Sequence, residues 1–138
     1  MKPTVPGALR GFIGLVLLAT AGGKLLDVPG FARILGSYRA LPQGSDLALA
    51  LAISSAELAL SVWLLSGRWL ARAALASVAI HLAYALWSAA GVLRGLKLSN
   101  CGCFGVFLAR PLGWNTVVED LGMVGLSAWL LVLARGKS

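Results

Sequence analysis

Residues 46–66 read DLALALAISSAELALSVWLLS, and only two of these 21 residues, Asp46 and Glu57, are charged. A helix rises 1.5 Å per residue, so this stretch would extend for about 30 Å, the thickness of the hydrocarbon core of a bilayer. Asp46 stands in the first turn, where a carboxylate complements the helix dipole. The stretch therefore predicts a membrane-spanning helix, and this assignment sets the fold class for the rest of the chain.

The composition of the whole chain agrees with a membrane protein. Hydrophobic residues make up 59% of the 138 residues and charged residues 12%, whereas a soluble domain carries about 25% charged residues. The net charge of +7 does not indicate a nucleic-acid partner, because the Lys and Arg residues fall singly or in pairs at the ends of apolar runs. We expect a lipid bilayer around most of the chain, and a single membrane domain over residues 1–138.

Three further apolar runs lie on either side of residues 46–66. Together the four runs predict an all-α fold, a bundle of four transmembrane helices at about 9–26, 46–66, 70–94 and 116–134. The connection over 27–45 carries apolar residues at helical spacing, namely Phe31, Ile34, Leu35, Tyr38 and Leu41. This spacing predicts a short amphipathic helix in the membrane interface. A docking surface for a partner is the alternative.

Four crossings place both termini on one side of the membrane and a loop over about 96–114 on the other. The twelve Lys and Arg residues divide equally between the two sides, so the positive-inside rule does not choose an orientation. The acidic residues near the ends of the spans all lie on the side of the loop: Asp27, Asp46, Glu119 and Asp120. We expect an integral plasma (inner) membrane protein with cytoplasmic termini and an extracytoplasmic loop.

Two polar stripes run along the second and third spans at helical spacing. They comprise Ala50, Ser54, Glu57 and Ser61, then Ser77, His81, Tyr84 and Ser88. A charged group at the bilayer centre costs about 2.5–3.5 kcal/mol on insertion scales, so Glu57 and His81 should face inward and find partners. Tight antiparallel packing of the two spans would let these side chains interact or line a polar cavity. They could serve as glue between helices or handle protons. Glu119 and Asp120 are interpreted as helix caps.

The two cysteines of the chain, Cys101 and Cys103, lie one residue apart in the loop. Closing a three-residue ring with a disulfide would stabilise the fold by only about 1.6 kcal/mol, against about 3 for fifteen residues. A small, strained disulfide is also easily reduced, which suits electron transfer. Gly102 and Gly105 permit unusual backbone angles, and Phe104 could anchor the turn in the interface. A redox pair, a metal site and an incidental pair all remain open.

Zinc is a poor fit to this loop. A structural zinc site needs four ligands, and the only histidine, His81, stands 13 residues before Arg94, about 20 Å along the helix. Unless the loop folds deeply inward, His81 and the cysteines cannot share an ion. Two-coordinate binding of a soft ion such as Cu(I) by Cys101 and Cys103 remains possible.

Several short motifs make the chain resemble the MauE-type, DoxX-like membrane proteins. They are Gly23-Lys24-Leu25-Leu26-Asp27, Tyr38-Arg39-Ala40-Leu41-Pro42, Glu57-Leu58, and Arg94-Gly95 followed five residues later by Asn100-Cys101-Gly102-Cys103-Phe104-Gly105. The resemblance covers nearly the whole chain and implies a four-helix membrane bundle. The namesake of the family is implicated in maturing methylamine dehydrogenase, whose small subunit is rich in disulfides. The resemblance therefore implies a role in extracytoplasmic thiol–disulfide exchange.

These observations lead to one hypothesis about function. Cys101 and Cys103 would cycle between dithiol and disulfide, while Glu57 and His81 move protons or shape a cavity of the size of a quinone. Arg94, Gly95 and the residues around the cysteines would shape the loop. Four-helix thiol oxidases such as vitamin K epoxide reductase and DsbB use more than one cysteine pair, whereas this chain has one. A thioredoxin-like or disulfide-rich partner would supply the second pair, and the alternatives are a soft-metal carrier or a docking subunit.

Overall fold

The computed structural model describes residues 4–136, and the elements in this range are all helical. They are α1 (Val5–Leu25), α2 (Val28–Ser37), α3 (Asp46–Ser66), α4 (Leu70–Leu93) and α5 (Trp114–Arg135). Four of them, α1, α3, α4 and α5, are long and apolar enough to cross a membrane. The predicted all-α bundle of four spans is confirmed. Lys2 and Lys137, which entered the charge count, lie outside the described residues.

The first span begins four residues earlier than its apolar run suggests. Thr4 is the residue before the helix, and its hydroxyl accepts a hydrogen bond of 3.1 Å from the backbone N–H of Gly7. Pro6 stands in the first turn, where a backbone N–H would have no acceptor within the helix, so the N–H that proline lacks costs no hydrogen bond. A capping residue followed by proline is a signal that hydropathy alone does not register.

The predicted short helix exists as α2, but its apolar side faces protein. Pro29 lies in the first turn of α2, and the Asp27 carboxylate caps the helix by accepting from the Gly30 N–H at 2.9 Å. Phe31 and Leu35 are only 3% and 6% exposed, and they pack in a cluster with α3. A partner could not dock on this face without displacing it from the bundle.

The bundle is built from two helix pairs. α1 packs most extensively on α3, and α4 on α5, whereas α3 and α4 touch much less. The second and third spans therefore do not pack tightly enough to bring their two polar stripes together along their length. Glu57 of the α3 stripe bonds Lys24 of α1. In the α4 stripe the hydroxyl of Ser77 lies 2.7 Å from that of Ser127 on α5, whereas Tyr84 reaches across to Glu57. The separation between the pairs leaves space inside the bundle.

The end of the bundle nearest the termini is closed by apolar packing. Its buried core consists of Leu9, Ile13, Leu17, Leu60, Leu64, Ala73, Ala74 and Leu130. The guanidinium of Arg10 donates to the carbonyls of Leu64 and Leu65 at 3.2 and 2.6 Å, which satisfies two of the last carbonyls of α3.

Candidate functional site

The loop between α4 and α5 is attached to the bundle at its base. Gly95, with φ +77°, ends α4, and the Arg94 side chain donates to the carbonyls of Tyr38 and Arg39 at 2.7 and 3.3 Å. The two limbs of the loop are joined by backbone hydrogen bonds, from Cys101 to Arg110 and from Leu112 to Leu98. Arg94 thus connects the end of α4 to the end of α2, next to the loop.

Asn100 organises the turn that carries the cysteines. Its side-chain oxygen accepts from the Gly102 N–H at 2.9 Å, and its side-chain nitrogen donates to the Gly105 carbonyl at 3.0 Å. A backbone bond of 3.1 Å from Gly105 to Gly102 closes the turn. Both glycines have positive φ, +85° and +71°, a conformation that glycine adopts with little strain.

The loop folds inward onto α1 and α2. A Cβ placed on Gly105 would lie 2.5 Å from the Gly23 carbonyl oxygen, and one on Gly102 would lie 2.9 Å from the Ile34 side chain. The backbone of Phe104 approaches Gly23 equally closely, and its side chain lines an internal cavity. The turn is therefore seated in the bundle.

The two sulfur atoms lie 2.8 Å apart as free thiols. Cys101 is only 8% exposed, while Cys103 is partly exposed. Cys103 is therefore the more accessible of the two, although it stands next to the apolar Phe104. The hydroxyl of Tyr38 donates to the Cys101 carbonyl at 2.7 Å, so α2 holds the backbone of the buried cysteine.

The surroundings of the two thiols differ electrostatically. A hydrogen bond from the Cys103 thiol lowers the pKa of Cys101 to about 6, and the Thr116 hydroxyl and the charge of Arg110 act in the same direction against burial. The same hydrogen bond, together with burial, raises the pKa of Cys103. Burial also raises the pKa of Tyr38, so its hydroxyl stays a donor. The arrangement favours a thiolate on Cys101 beside a protonated Cys103.

A buried ion pair joins α1 to α3. Lys24 Nζ lies 2.5 Å from Glu57 Oε1, and the two side chains are 4% and 1% exposed. Thr20 donates to the other carboxylate oxygen at 3.1 Å, and Tyr84 of α4 donates to Glu57 from the far side. The prediction that Glu57 faces inward and finds partners is confirmed. The partner Lys24 was missed because a lysine at the end of a span is normally interpreted as a flanking charge.

His81 also faces inward, but its hydrogen bonds go to its own helix. Its Nδ1 lies 2.9 Å from the Ser77 carbonyl and 3.2 Å from the Ser77 hydroxyl. The ring meets Tyr84 edge-on with centroids 6.3 Å apart, and Tyr84 bonds Glu57. Of the two arrangements considered for Glu57 and His81, direct interaction and a shared cavity, the structure shows the second.

The acidic residues of α5 do not cap the helix. The preceding residue, Gly113, has no side chain to cap with, and the first turn of α5 contains no acid. Glu119 forms a two-pronged ion pair with Arg110 of the loop. Asp120 lines the internal cavity and accepts a hydrogen bond of 3.4 Å from Ser88. The capping interpretation is wrong, because α5 begins two residues earlier than predicted.

The cysteines, the Lys24–Glu57 pair, His81 and Asp120 border one cavity of about 820 Å³ between the two helix pairs. Its walls are mainly apolar, and the polar groups in its lining include Lys24, Glu57, His81, Tyr84, Cys101 and Cys103. The distance along α4 suggested that His81 and the cysteines are far apart. The inward fold of the loop instead brings the cysteines to the same cavity as His81.

Known proteins are similar to this chain along nearly its whole length. A family model described as "Methylamine utilisation protein MauE" matches residues 2–133. The chain belongs to the MauE family. Methylamine utilization protein MauE of Paracoccus denitrificans is 34% identical over 136 residues, which cover 99% of this chain and 72% of the relative.

Two further MauE proteins are similar along nearly the whole chain. The one from Paracoccus versutus is 31% identical, covering 97% of this chain and 74% of the relative. The one from Methylorubrum extorquens is 28% identical, covering 96% and 73%. No solved structure gives a significant match. The matched span of this MauE-family chain includes the loop and the Lys24–Glu57 pair.

Within residues 4–136 of this MauE-family chain, His, Cys, Asp and Glu side chains form no cluster of three or more that could hold a metal ion. The two sulfurs are therefore the available soft ligands of the loop. Two thiolates suit Cu(I), which tolerates low coordination numbers and prefers sulfur. The site combines adjacent thiols, an apolar cavity and a buried charged cluster.

Proposed function

We propose that this protein is a membrane accessory factor that performs thiol–disulfide exchange through Cys101 and Cys103. The observation that carries the proposal is the approach of the two sulfurs to 2.8 Å in a loop fixed on α1 and α2. Two adjacent sulfurs need little movement to form or break a disulfide. The lowered pKa of Cys101 supports the same chemistry, because the thiolate is both the nucleophile and the better leaving group.

The difference between the two cysteines supports a division of labour. A thiolate of a partner attacks the more exposed sulfur, Cys103, of the oxidised pair, and Cys101 leaves as a thiolate. A second thiol of the partner then attacks the mixed disulfide and releases Cys103. The partner gains a disulfide, and the pair gains two electrons and becomes the dithiol. Low pKa of the leaving thiol accelerates the first step.

The residues around the cavity would support this exchange. Glu57 and His81 border the same cavity as the cysteines, and thiol–disulfide chemistry moves protons as well as electrons. Asn100, Gly102, Gly105, Arg94 and Gly95 would keep the turn in position through the hydrogen bonds and backbone angles described above.

The partner is proposed to be a thioredoxin-like or disulfide-rich protein outside the cytoplasm. Disulfides persist in that compartment, so we place the loop on the outer face of the plasma membrane and the termini in the cytoplasm. The relatives are named for methylamine utilisation. A secreted or periplasmic protein of such a pathway is accordingly the class of client that we propose.

Mixed-disulfide capture in cells tests the proposal. Cys101→Ser leaves the accessible Cys103 as a lone thiol, which can exchange with a disulfide of the client but has no neighbouring cysteine to displace the client again. This variant should therefore accumulate a mixed disulfide with the client, which a reducing agent releases. Cys103→Ser leaves only the buried thiol and should capture several-fold less. The double serine variant is the control. Equal capture by both single variants would contradict the division of labour, and no capture by either would contradict thiol exchange.

A soft-metal carrier is the second candidate, favoured by the convergence of two sulfurs at one point. It predicts one Cu(I) or Hg(II) per chain, bound by the reduced protein and lost in Cys101→Ser. It also predicts that the pair never becomes oxidised during function. Metal titration in detergent, combined with thiol counting on freshly isolated membranes, separates this candidate from thiol exchange.

A further inference from the structure

We propose that the cavity binds a lipid-soluble quinone and that this quinone reoxidises the Cys101–Cys103 pair. The inference rests on the proposed function and deepens it by naming the oxidant.

Each exchange with a client dithiol leaves the pair reduced, and the chain has no other cysteine to pass the electrons to. A second turnover therefore needs an acceptor of two electrons and two protons. Cys101 and Cys103 both border the cavity, so an acceptor inside it can reach the sulfurs while a client approaches from outside. A quinone accepts two electrons and two protons and dissolves in the bilayer.

The cavity has the size and position that such a ligand requires. Its volume of about 820 Å³ falls in the range of about 300–1,000 Å³ usual for small-molecule sites. Its lining on α1 extends from Phe12 to Lys24, about 18 Å at the helical rise per residue. The walls are largely apolar and are formed by membrane-spanning helices. An apolar tail can therefore lie along the bundle with the ring at the cysteine end.

The polar end offers hydrogen-bond donors for carbonyl oxygens. Lys24 carries three N–H donors, one of which bonds Glu57. His81 also borders the cavity, and its hydrogen bonds to Ser77 are made through Nδ1. Tyr84 borders the cavity too, but its hydroxyl already donates to Glu57. An acyl chain of a lipid would make no hydrogen bond with Lys24 or His81. An extended peptide would bring backbone groups that mainly apolar walls cannot satisfy. A ring with two carbonyls on an apolar tail fits both parts of the cavity.

Oxidation of the dithiol breaks both S–H bonds and forms one S–S bond, so the pair loses two electrons and two protons. Where Cys101 is already a thiolate, one of these two protons has been released before the electron transfer. The quinone takes up the two electrons and two protons on its oxygens and becomes the quinol. Asp120 and Glu57 border the cavity as carboxylates that can relay the protons.

Binding is tested with decylubiquinone and the purified protein in lipid nanodiscs. Trp87 lines the cavity, so its fluorescence should be quenched saturably, and Trp87→Phe should remove that component. Gly122 also lines the cavity with open space beside it, whereas Gly125 on the same helix has equal space but lies outside the cavity. Gly122→Leu should raise the apparent Kd at least tenfold, and Gly125→Leu should leave it within twofold. Non-saturable quenching, or equal behaviour of the two leucine variants, would overturn the inference.

Electron transfer is tested by mixing the reduced protein with decylubiquinone in the absence of oxygen. One quinol should form per disulfide, and none in the double serine variant, which should still bind the quinone. Binding without disulfide formation overturns the proposed reoxidation. If mixed-disulfide capture succeeds while quinone binding fails, only this inference is lost. If quinone binds but no client is ever captured, the exchange function is lost instead.

Discussion

Replacing Lys24 with methionine should destabilise the bundle strongly, because it leaves the Glu57 charge buried without its counterion. The two side chains are 4% and 1% exposed and lie 2.5 Å apart. Methionine keeps the length and apolar stem of lysine, so packing changes little. The loss therefore reports on the charge rather than on the volume of the side chain.

The expected magnitude follows from what remains around Glu57. Removing one partner of a buried ion pair costs about 3–5 kcal/mol of unfolding free energy. Thr20 and Tyr84 still donate to the carboxylate, so we expect the lower end, about 3 kcal/mol. Glu57→Gln should cost less, because Lys24 retains two aromatic faces at 5.2 and 5.1 Å and each contributes about 0.5–2 kcal/mol.

Combining the two changes should recover part of the loss. Lys24→Met with Glu57→Gln removes both charges, and contacting residues show coupling of about 0.5–3 kcal/mol. The measurement is unfolding in mixed micelles, followed by circular dichroism as the denaturing detergent fraction rises. Lys97→Met, at an exposed lysine of the loop, is the control and should change stability by less than about 0.5 kcal/mol. Two results would refute the reasoning. One is a loss of unfolding free energy below about 1 kcal/mol for Lys24→Met. The other is a loss in the double variant as large as the summed losses of the two single variants.

Three further predictions concern the loop. Gly105→Ala should loosen the turn and speed alkylation of the cysteines, since a Cβ would meet Gly23 at 2.5 Å with φ +71°; Gly95→Ala, at φ +77° in open space, is the control for backbone strain alone. The alkylation rate of Cys101 should rise with pH around a midpoint near 6, because its pKa is lowered to about 6. Cys103→Ala removes the hydrogen bond that is the main cause of the lowered pKa of Cys101. The midpoint, followed by mass spectrometry, should therefore move toward the ordinary thiol pKa of about 8.5. An unchanged midpoint would contradict this. A membrane-impermeant maleimide should label the reduced pair on intact cells, and labelling only after lysis would reverse the proposed orientation.

The four spans could be predicted from the sequence because length and apolar content decide them. Both ends of the span at 46–66 are predicted correctly, since the helix lies between an acid in its first turn and the glycine turn at Gly67. The start of α1 was misplaced, because Thr4 and Pro6 act through capping rather than hydropathy. The amphipathic pattern of α2 was visible too, but the pattern cannot say whether lipid or protein covers the apolar side.

The inward faces of Glu57 and His81 could also be predicted, from helical spacing and the cost of buried charge. The identity of the partners could not, because it depends on which helices form pairs. Pairing of α1 with α3 brings Lys24 to Glu57. No short-range pattern in the sequence predicts which helices pair. The inward seat of the loop depends on contact between Gly23 and Gly105, which lie 82 residues apart in the sequence.

The central claim is that Cys101 and Cys103 alternate between dithiol and disulfide, and their redox state in native membranes tests it most directly. Membranes are quenched with acid, the free thiols are alkylated, and the tryptic loop peptide is weighed before and after dithiothreitol. We predict a substantial fraction with an intramolecular disulfide, which dithiothreitol converts to the doubly alkylated form and an added oxidant restores. A pair that stays fully alkylated under oxidising conditions would contradict the account.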